Sequence, residues 1–327
     1  MFELKLAFAL KLALQSGILL LLSVSAFLCA AADGTEWIAA LGGQVQRDAA
    51  GNVVAVNLRG AWVDDVEMID VARLPKLERL DLSHTRITDE GMLHLKPATQ
   101  IRDLNLYYSE WITDQGMTAI KNWKMLKRLN VRGTRIANGT LEIVSHMPQL
   151  EALDVSNTQI TDNGLDLLIA MTGLKELALG RSRVGEGDLG FLRMLPSLTS
   201  LDLSGARPTP PDMGGAGRRG STPVPAMPQS TIRAMAELKN LRVLKLGFSG
   251  ISASDLKALS VLENVEKLGL EECPRVDDGA AAELANWKSL KYLDLQDTKV
   301  TAKGLEALRK AKPGLVVLAT PETKPKG

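Results

Sequence analysis

One alternation of apolar and polar positions recurs along most of the chain. It reads Leu77-x-x-Leu80-x-Leu82, Ile101-x-x-Leu104-x-Leu106, Leu126-x-x-Leu129-x-Val131, Leu150-x-x-Leu153-x-Val155, Leu174-x-x-Leu177-x-Leu179 and Leu198-x-x-Leu201-x-Leu203, with starts 24, 25, 24, 24 and 24 residues apart. After an interval of 43 residues it resumes at Leu241-x-x-Leu244-x-Leu246, Val265-x-x-Leu268-x-Leu270 and Leu290-x-x-Leu293-x-Leu295, again 24 and 25 apart. The period of two inside each phrase predicts a short strand with its apolar residues inward and its polar residues outward. Val53-x-x-Val56-x-Leu58 before the series and Leu315-x-x-Leu318 after it are the expected capping ends.

Three residues beyond each phrase stands a small residue: Thr85, Ser109, Thr134, Thr158, Ser182, Ala206, Ser249, Cys273 and Thr298. A chain leaving a strand must satisfy its backbone groups, and stacked short hydroxyls can do so. Cys273 is accounted for as one rung of this ladder rather than as a reactive or metal-binding thiol. Several units then read Ile-Thr-Asp-x-Gly-Leu/Met, as at Ile87 to Met92, Ile112 to Met117 and Ile160 to Leu165. Thr and Asp there are natural helix N-caps, and apolar residues such as Leu165, Leu168 and Ile169 form a helical stripe behind them. Trp123 and Trp287 share a pre-strand column with Leu74, Met147, Met171, Leu195 and Leu238, which predicts core positions for both. Each unit is therefore strand, turn, helix, and equal units of this kind bury their apolar faces only by stacking.

With its Leu-x-x-Leu-x-Leu-x-x-Cys/Thr-x-x-Ile-Thr-Asp-x-Gly-Leu phrase, the chain resembles the leucine-rich-repeat family. The likeness is to the subtype of ribonuclease-inhibitor-like solenoids and of the repeats in F-box proteins, over roughly residues 53–320. The resemblance implies an α/β, right-handed horseshoe solenoid with a parallel β-sheet on the concave face and helices on the convex face. It further implies a protein-binding role, usually on the concave sheet. Nothing before Val53 looks like an F-box helical module, which speaks against a ubiquitin-ligase substrate adaptor.

Lys5 and Lys11, an apolar run from Leu12 to Leu28 and the small residues Ala30-Ala31-Ala32 make residues 1–32 a signal peptide, with an uncleaved N-terminal membrane anchor as the alternative. A lipoprotein reading of Cys29 is disfavoured by Leu28 before it. Either way the expected location is exported: periplasmic, secreted or anchored outside the cytoplasm, with membrane contact only through that segment if it is uncleaved. A mature chain cut after Cys29 would keep Cys273 alone and form no internal disulfide. Residues 33–52 read as an N-terminal cap, 53–320 as the solenoid and 321–327 as a tail. Within the solenoid, 207–230 is a Pro/Gly-rich loop insertion. Gly215-Ala216-Gly217-Arg218-Arg219-Gly220 in that loop matches a dinucleotide fingerprint in letters only. Its Pro-rich flanks remove the strand-to-helix turn the motif requires, and Ser221 stands where a P-loop needs Lys.

Composition narrows the function further. With 39 Lys plus Arg against 38 Asp plus Glu, there is no basic excess for a nucleic-acid partner. Aromatics at 4% are sparse for a sugar- or base-stacking surface. His84, His94 and His146 lack ligand-like spacing, so no metal and no cofactor is expected. Gly247-Phe248-Ser249-Gly250 fails as a nucleophile elbow because Ile251 follows, and Asp64-Asp65 and Asp277-Asp278 read as helix caps, so no catalytic residues are expected. Asn138-Gly139-Thr140 is a glycosylation sequon.

The outward strand positions form three columns. The central one runs Asp81, Asn105, Asn130, Asp154, Ala178, Asp202, Lys245, Gly269, Asp294; one flank begins Arg79, Asp103, Arg128, and the other Ser83, Tyr107, Arg132, Ser156. Interface anchors favour Tyr, Trp and Arg. The expected protein-binding residues are thus Arg79, Asp81, Asp103, Asn105, Tyr107, Tyr108, Trp111, Arg128, Asn130, Arg132 and Asp154, although Trp111 can equally pack on the rim of its own repeat. The function expected is a non-enzymatic protein- or peptide-binding scaffold; a structural or self-associating envelope component is the rival reading.

Overall fold

The computed structural model describes residues 34–184, 189–206 and 224–320. The expected signal segment 1–32, most of the Pro/Gly-rich loop (207–223) with its fingerprint-like run, and the tail 321–327 lie outside the described residues.

Twelve strands form one sheet in strictly sequential order. The first two, β1 (Gln44–Arg47) and β2 (Val53–Asn57), pair antiparallel as a hairpin that closes the N-terminal end together with the helix Glu36–Ala40. All later neighbours pair in parallel: β3 (Arg79–Asp81), β4 (Asp103–Asn105), β5 (Arg128–Asn130), β6 (Ala152–Asp154), β7 (Glu176–Ala178), β8 (Ser200–Asp202), β9 (Val243–Lys245), β10 (Lys267–Gly269), β11 (Tyr292–Asp294) and β12 (Val316–Leu318). The middle residue of each repeat strand, from Leu80 to Leu293, is buried and stands opposite its counterpart in the next coil. Leu201 faces Leu244 in that same register, so the 43-residue interval leaves the sheet unbroken. Trp123 and Trp287 are buried, at 0% and 2% exposure, as their column predicts. Each fully buried Leu stabilises the solenoid by roughly 1.5–3 kcal/mol, and it does so only because a neighbouring coil covers it.

At the C-terminal end the structure departs from the sequence phrase. Val317, not Leu318, stands opposite Leu293, and Leu318 is 38% exposed in the outward column. The last strand is set by backbone bonds from Val316 N to Lys291 O and from Leu295 N to Leu318 O, one residue earlier than the Leu-x-x-Leu spacing implied. No further coil covers it among the described residues, and apolar spacing there loses its hold on register.

The convex layer holds short α-helices, such as Asp89–His94, Asn138–Ser145 and Asp278–Leu284, but 3-10 helices at Asp162–Ala170 and Leu189–Met194. The tighter 3-10 turn eclipses positions three apart. Leu165 and Leu168 therefore stay buried while Ile169, expected on the same stripe, turns out to 38% exposure. Among the described residues no helix is long and apolar enough to cross a membrane.

The small-residue ladder divides by side chain. Thr85, Thr134, Thr158 and Thr298 each donate to the carbonyl three residues back. Ser109 and Ser182 reach the preceding coil instead, at Leu82 O (2.7 Å) and Val155 O (2.9 Å), and the Cys273 thiol reaches Leu246 O at 3.2 Å. Burial raises the thiol's pKa, which fits an inert rung.

The Ile-Thr-Asp-x-Gly phrase works across coils rather than within one. Thr88 and Thr113 cap their own helices, each accepting a backbone N–H. The Asp serves the next coil: Asp65 accepts from Thr88 N (2.7 Å) and Thr88 Oγ1 (2.6 Å), Asp89 from Thr113 (2.8 and 2.6 Å), and Asp278 from Thr301. Where Ala137 replaces the Thr, the Thr140 hydroxyl takes its place on Asp114 at 2.6 Å. Asn138 continues the relay with its amide on Thr161, so the sequon is a structural rung. After the insertion, Asp255 forms a capping box with Ser252 of its own coil. The motif glycine gives the carboxylate room: a Cβ on Gly116 would lie 2.5 Å from Asp89 Oδ1 and 3.0 Å from Asp89 Cα, and Gly91 meets Asp65 in the same way.

We expect Gly116→Ala to destabilise the fold by ~1–3 kcal/mol through overpacking. Asp89→Ala combined with it should cost less than the sum of the single changes, because the clashing carboxylate is gone. Denaturant unfolding of the parent, both single variants and the double variant tests this, and full additivity would contradict it.

Candidate functional site: the concave groove

Outward side chains of β2 to β9 line a concave groove with a volume of about 530 Å³. Of the expected binding residues, Arg79, Asp81, Asp103, Asn105, Arg128, Asn130, Arg132 and Asp154 all line it. The central column, however, is partly committed to the fold. Asp81, Asn105, Asn130 and Asp154 each use Oδ1 to accept the backbone N–H two residues on, at 2.8, 3.1, 3.1 and 2.9 Å. These Asx turns end the strands, so replacing an Asp or Asn there removes a turn as well as a surface group.

Apart from Arg132, the expected binding residues of the third column are not part of the groove floor. Ser83 and Ser156 are buried, and Tyr107, Tyr108 and Trp111 stand at the strand-exit edge. A left-handed residue in each coil explains this: His84, Tyr108, Asn157, Arg181, Phe248, Glu272 and Asp297, together with Gly60, Gly133 and Gly205, all have φ between 53° and 75°. Side chains pay steric strain in that region. The conformation aims the N–H at the next coil's carbonyl, as from His84 N to Tyr107 O at 2.8 Å and from Tyr108 N to Arg132 O at 2.7 Å. It also splays the side chains over the edge, where His84 stacks on Tyr108 and both meet Tyr107. Gly133 is required beneath Tyr108, since a Cβ there would lie 2.9 Å from the ring. The Gly, Asn and Asp in this column were the sequence signal for a left-handed position.

The groove's strongest electrostatic feature joins non-adjacent coils. Both terminal guanidinium nitrogens of Arg128 on β5 donate to the two Glu176 oxygens on β7 at 3.0 Å, spanning the small side chain of Ala152 between them. Hydrogen bonding to Glu176 raises the Arg128 pKa, and the same bond lowers that of Glu176. Asp103, half-buried beside the same arginine, is pushed up by burial against the opposing pull of Arg128 and Arg79. Farther along, Lys245 lies 3.5 Å from Asp202. Glu176, Asp202 and Lys245 stand at outward strand positions but were not singled out; opposite charges in one column, two coils apart for Arg128 and Glu176 and on adjacent strands for Asp202 and Lys245, were the clue. Among the described residues no group of three or more His, Cys, Asp or Glu side chains is arranged to hold a metal ion.

The family described as Leucine Rich repeat matches residues 73–95, 146–168 and 288–308. A leucine-rich-repeat protein of Leptospira interrogans superposes with TM-score 0.51 at 18% identity, over 76% of this chain and 62% of that one. Internalin C2 of Listeria monocytogenes superposes with TM-score 0.50 at 23% identity, over 67% of this chain and 80% of that one. The fold is that of a leucine-rich-repeat protein. The leucine-rich-repeat ectodomain of the Arabidopsis receptor kinase HAESA, solved with a peptide hormone, gives TM-score 0.50 at 17% identity over 78% of this chain and 40% of that one. The chain thus spans 62% of the length of the Leptospira protein and less of the plant receptor ectodomain. No curated protein matches significantly by sequence.

As a leucine-rich-repeat surface, the groove presents fixed, mixed charges on a sheet whose backbone bonds are already made, so a ligand must be read by side chains. Titration of the groove follows with opposite signs. Glu176 is depressed, so its contribution is present above the ordinary glutamate range and lost as pH falls through its folded value; Asp103 is raised, so its contribution is present at low pH and lost as pH rises through its folded value. Asp103→Asn should therefore raise the melting temperature at pH 7, on the order of 1 °C, with the difference shrinking toward pH 3. Scanning calorimetry at both pH values is the check, and a lowered melting temperature at pH 7 would reverse the assignment.

Proposed function

We propose that this leucine-rich-repeat chain is an exported, non-enzymatic scaffold that holds a protein or peptide against its concave groove. The observation that carries the reading is the groove itself: Arg79, Asp103, Arg128, Arg132 and Asp154 converge on one rigid surface in which Arg128 is held in a bidentate pair. A preorganised guanidinium costs little further entropy on binding and is a favoured interface anchor. The HAESA ectodomain, with its peptide ligand, supports the reading as a likeness of fold. Export rests on the basic, apolar and small-residue order of 1–32. We assign the repeats to the ribonuclease-inhibitor-like subtype on their Ile-Thr-Asp-x-Gly-Leu phrase.

Selection of a random peptide library displayed on phage against the chain from Asp33 onward tests the proposal. Peptides enriched on the parent should lose at least about tenfold in affinity, about 1.4 kcal/mol, with Arg128→Glu or Asp103→Arg. Circular dichroism should be unchanged in both variants. Failure to enrich any sequence, or equal binding by both variants, would favour a spacer or self-associating role.

A further inference from the structure

We propose that the strand-exit edge of the first four coils is a second binding surface, made for an acidic, extended peptide segment. The chain has five tryptophans, and their placement is uneven. Trp123 and Trp287 are buried, whereas Trp62 is 77% and Trp111 52% exposed. These two occupy the same edge, one coil apart from Arg86 and Arg135. Arg86 Cζ lies 5.1 Å from the Trp62 ring centroid and Arg135 Cζ 4.7 Å from that of Trp111. The order Trp62, Arg86, Trp111, Arg135 thus alternates ring and cation over four adjacent strands, a line of roughly 15 Å at ~4.8 Å per strand.

The opposite edge shows what a self-satisfied flank looks like in this molecule. There Arg102 pairs with Glu78, Lys127 and Lys175 share Glu151, and Arg242 and Lys291 share Glu266. Among the described residues Arg86 and Arg135 pair with no carboxylate; each rests on an indole instead. Stacking on a ring orients a guanidinium and leaves its N–H fork free, which suits a carboxylate supplied from outside. Exposed Trp and Arg side by side are also the residue types that dominate interface energetics.

The geometry further selects the form of the ligand. Arg86 and Arg135 are two strands apart, roughly 9.6 Å. In a polyproline II segment, residues three apart point the same way and are separated by about 9.3 Å. Carboxylates at every third position therefore meet both arginines, while the intervening prolines hold the segment extended. A membrane surface fits less well, because the band is a single line of side chains running along a curved edge. It also joins the groove directly, through Arg132 over Tyr107 at 5.9 Å.

Fluorescence anisotropy with a labelled (Glu-Pro-Pro) repeat peptide of four units is the test. Saturable, salt-sensitive binding is expected, with at least tenfold loss in Arg86→Glu/Arg135→Glu and in Trp62→Ala/Trp111→Ala, and no binding of the corresponding Lys-Pro-Pro peptide. Arg86→Gln/Arg135→Gln should lose affinity with an unchanged circular dichroism spectrum, which separates lost charge from lost fold. Arg128→Glu, which tests the concave groove, should leave this binding intact, so the two surfaces stand or fall separately. No saturable binding, equal binding by the band variants, or band-dependent co-sedimentation with phosphatidylserine vesicles in place of peptide binding would overturn the proposal.

Discussion

Every coil of this molecule sits one strand spacing from the next, roughly 4.8 Å, because no coil can bury its apolar face alone. That single constraint places like residues of successive repeats in contact. Leucines repeated in phase become a continuous core from Val56 to Leu293. Hydroxyls repeated in phase become a ladder, and a carboxylate that would serve as a cap in an isolated helix, Asp89, reaches the Thr113 of its neighbour. Glycine at 91, 116, 139, 164 and 304 follows from the same spacing, since a side chain there would collide with the Asp or Asn reaching in.

The spacing also governs charge. Like unit charges one strand apart in a column repel, and along the strand-start flank carboxylates stand between cations, Glu151 between Lys127 and Lys175 and Glu266 between Arg242 and Lys291. Hydrogen bonds to these lysines hold the Glu151 carboxyl down to about 2. Exposed pairs of this kind contribute little to stability individually, and their chief effect is to reduce repulsion among the cations of that flank. The other two surfaces are arranged differently: in the groove Arg128 meets Glu176 two coils away, and at the strand-exit edge Arg86 and Arg135 rest on indole rings.

The insertion after β8 shows how local such a fold is. The sheet crosses it in register from Leu201 to Leu244. Beyond it the caps are built differently: Asp255 turns back to Ser252 of its own coil, and Gln229 of the preceding coil donates to its other oxygen at 2.8 Å. Hydrogen bonds along the sheet need only the backbone of the next coil, whereas the relay needs a particular side chain at a particular height.

Much of this was legible in the residues. The repeat phase foretold the parallel sheet, the buried columns, the Trp123 and Trp287 core and the rung occupied by Cys273, because in a solenoid the spatial neighbour is the residue one period away. The groove-facing positions of Arg79, Asp103, Arg128 and Asp154 followed from the same alternation. What only the tertiary structure decided depends on backbone sign and on side-chain reach. Left-handed turns at His84 and Tyr108 carried Tyr107, Tyr108 and Trp111 out of the groove to the edge, and long side chains let Arg128 pass over Ala152 to Glu176. At the last described strand, Val317 took the inward place that the spacing had given to Leu318, because the backbone bonds to the preceding coil set the register there. Periodicity determines which residues are neighbours; packing determines where each of them points.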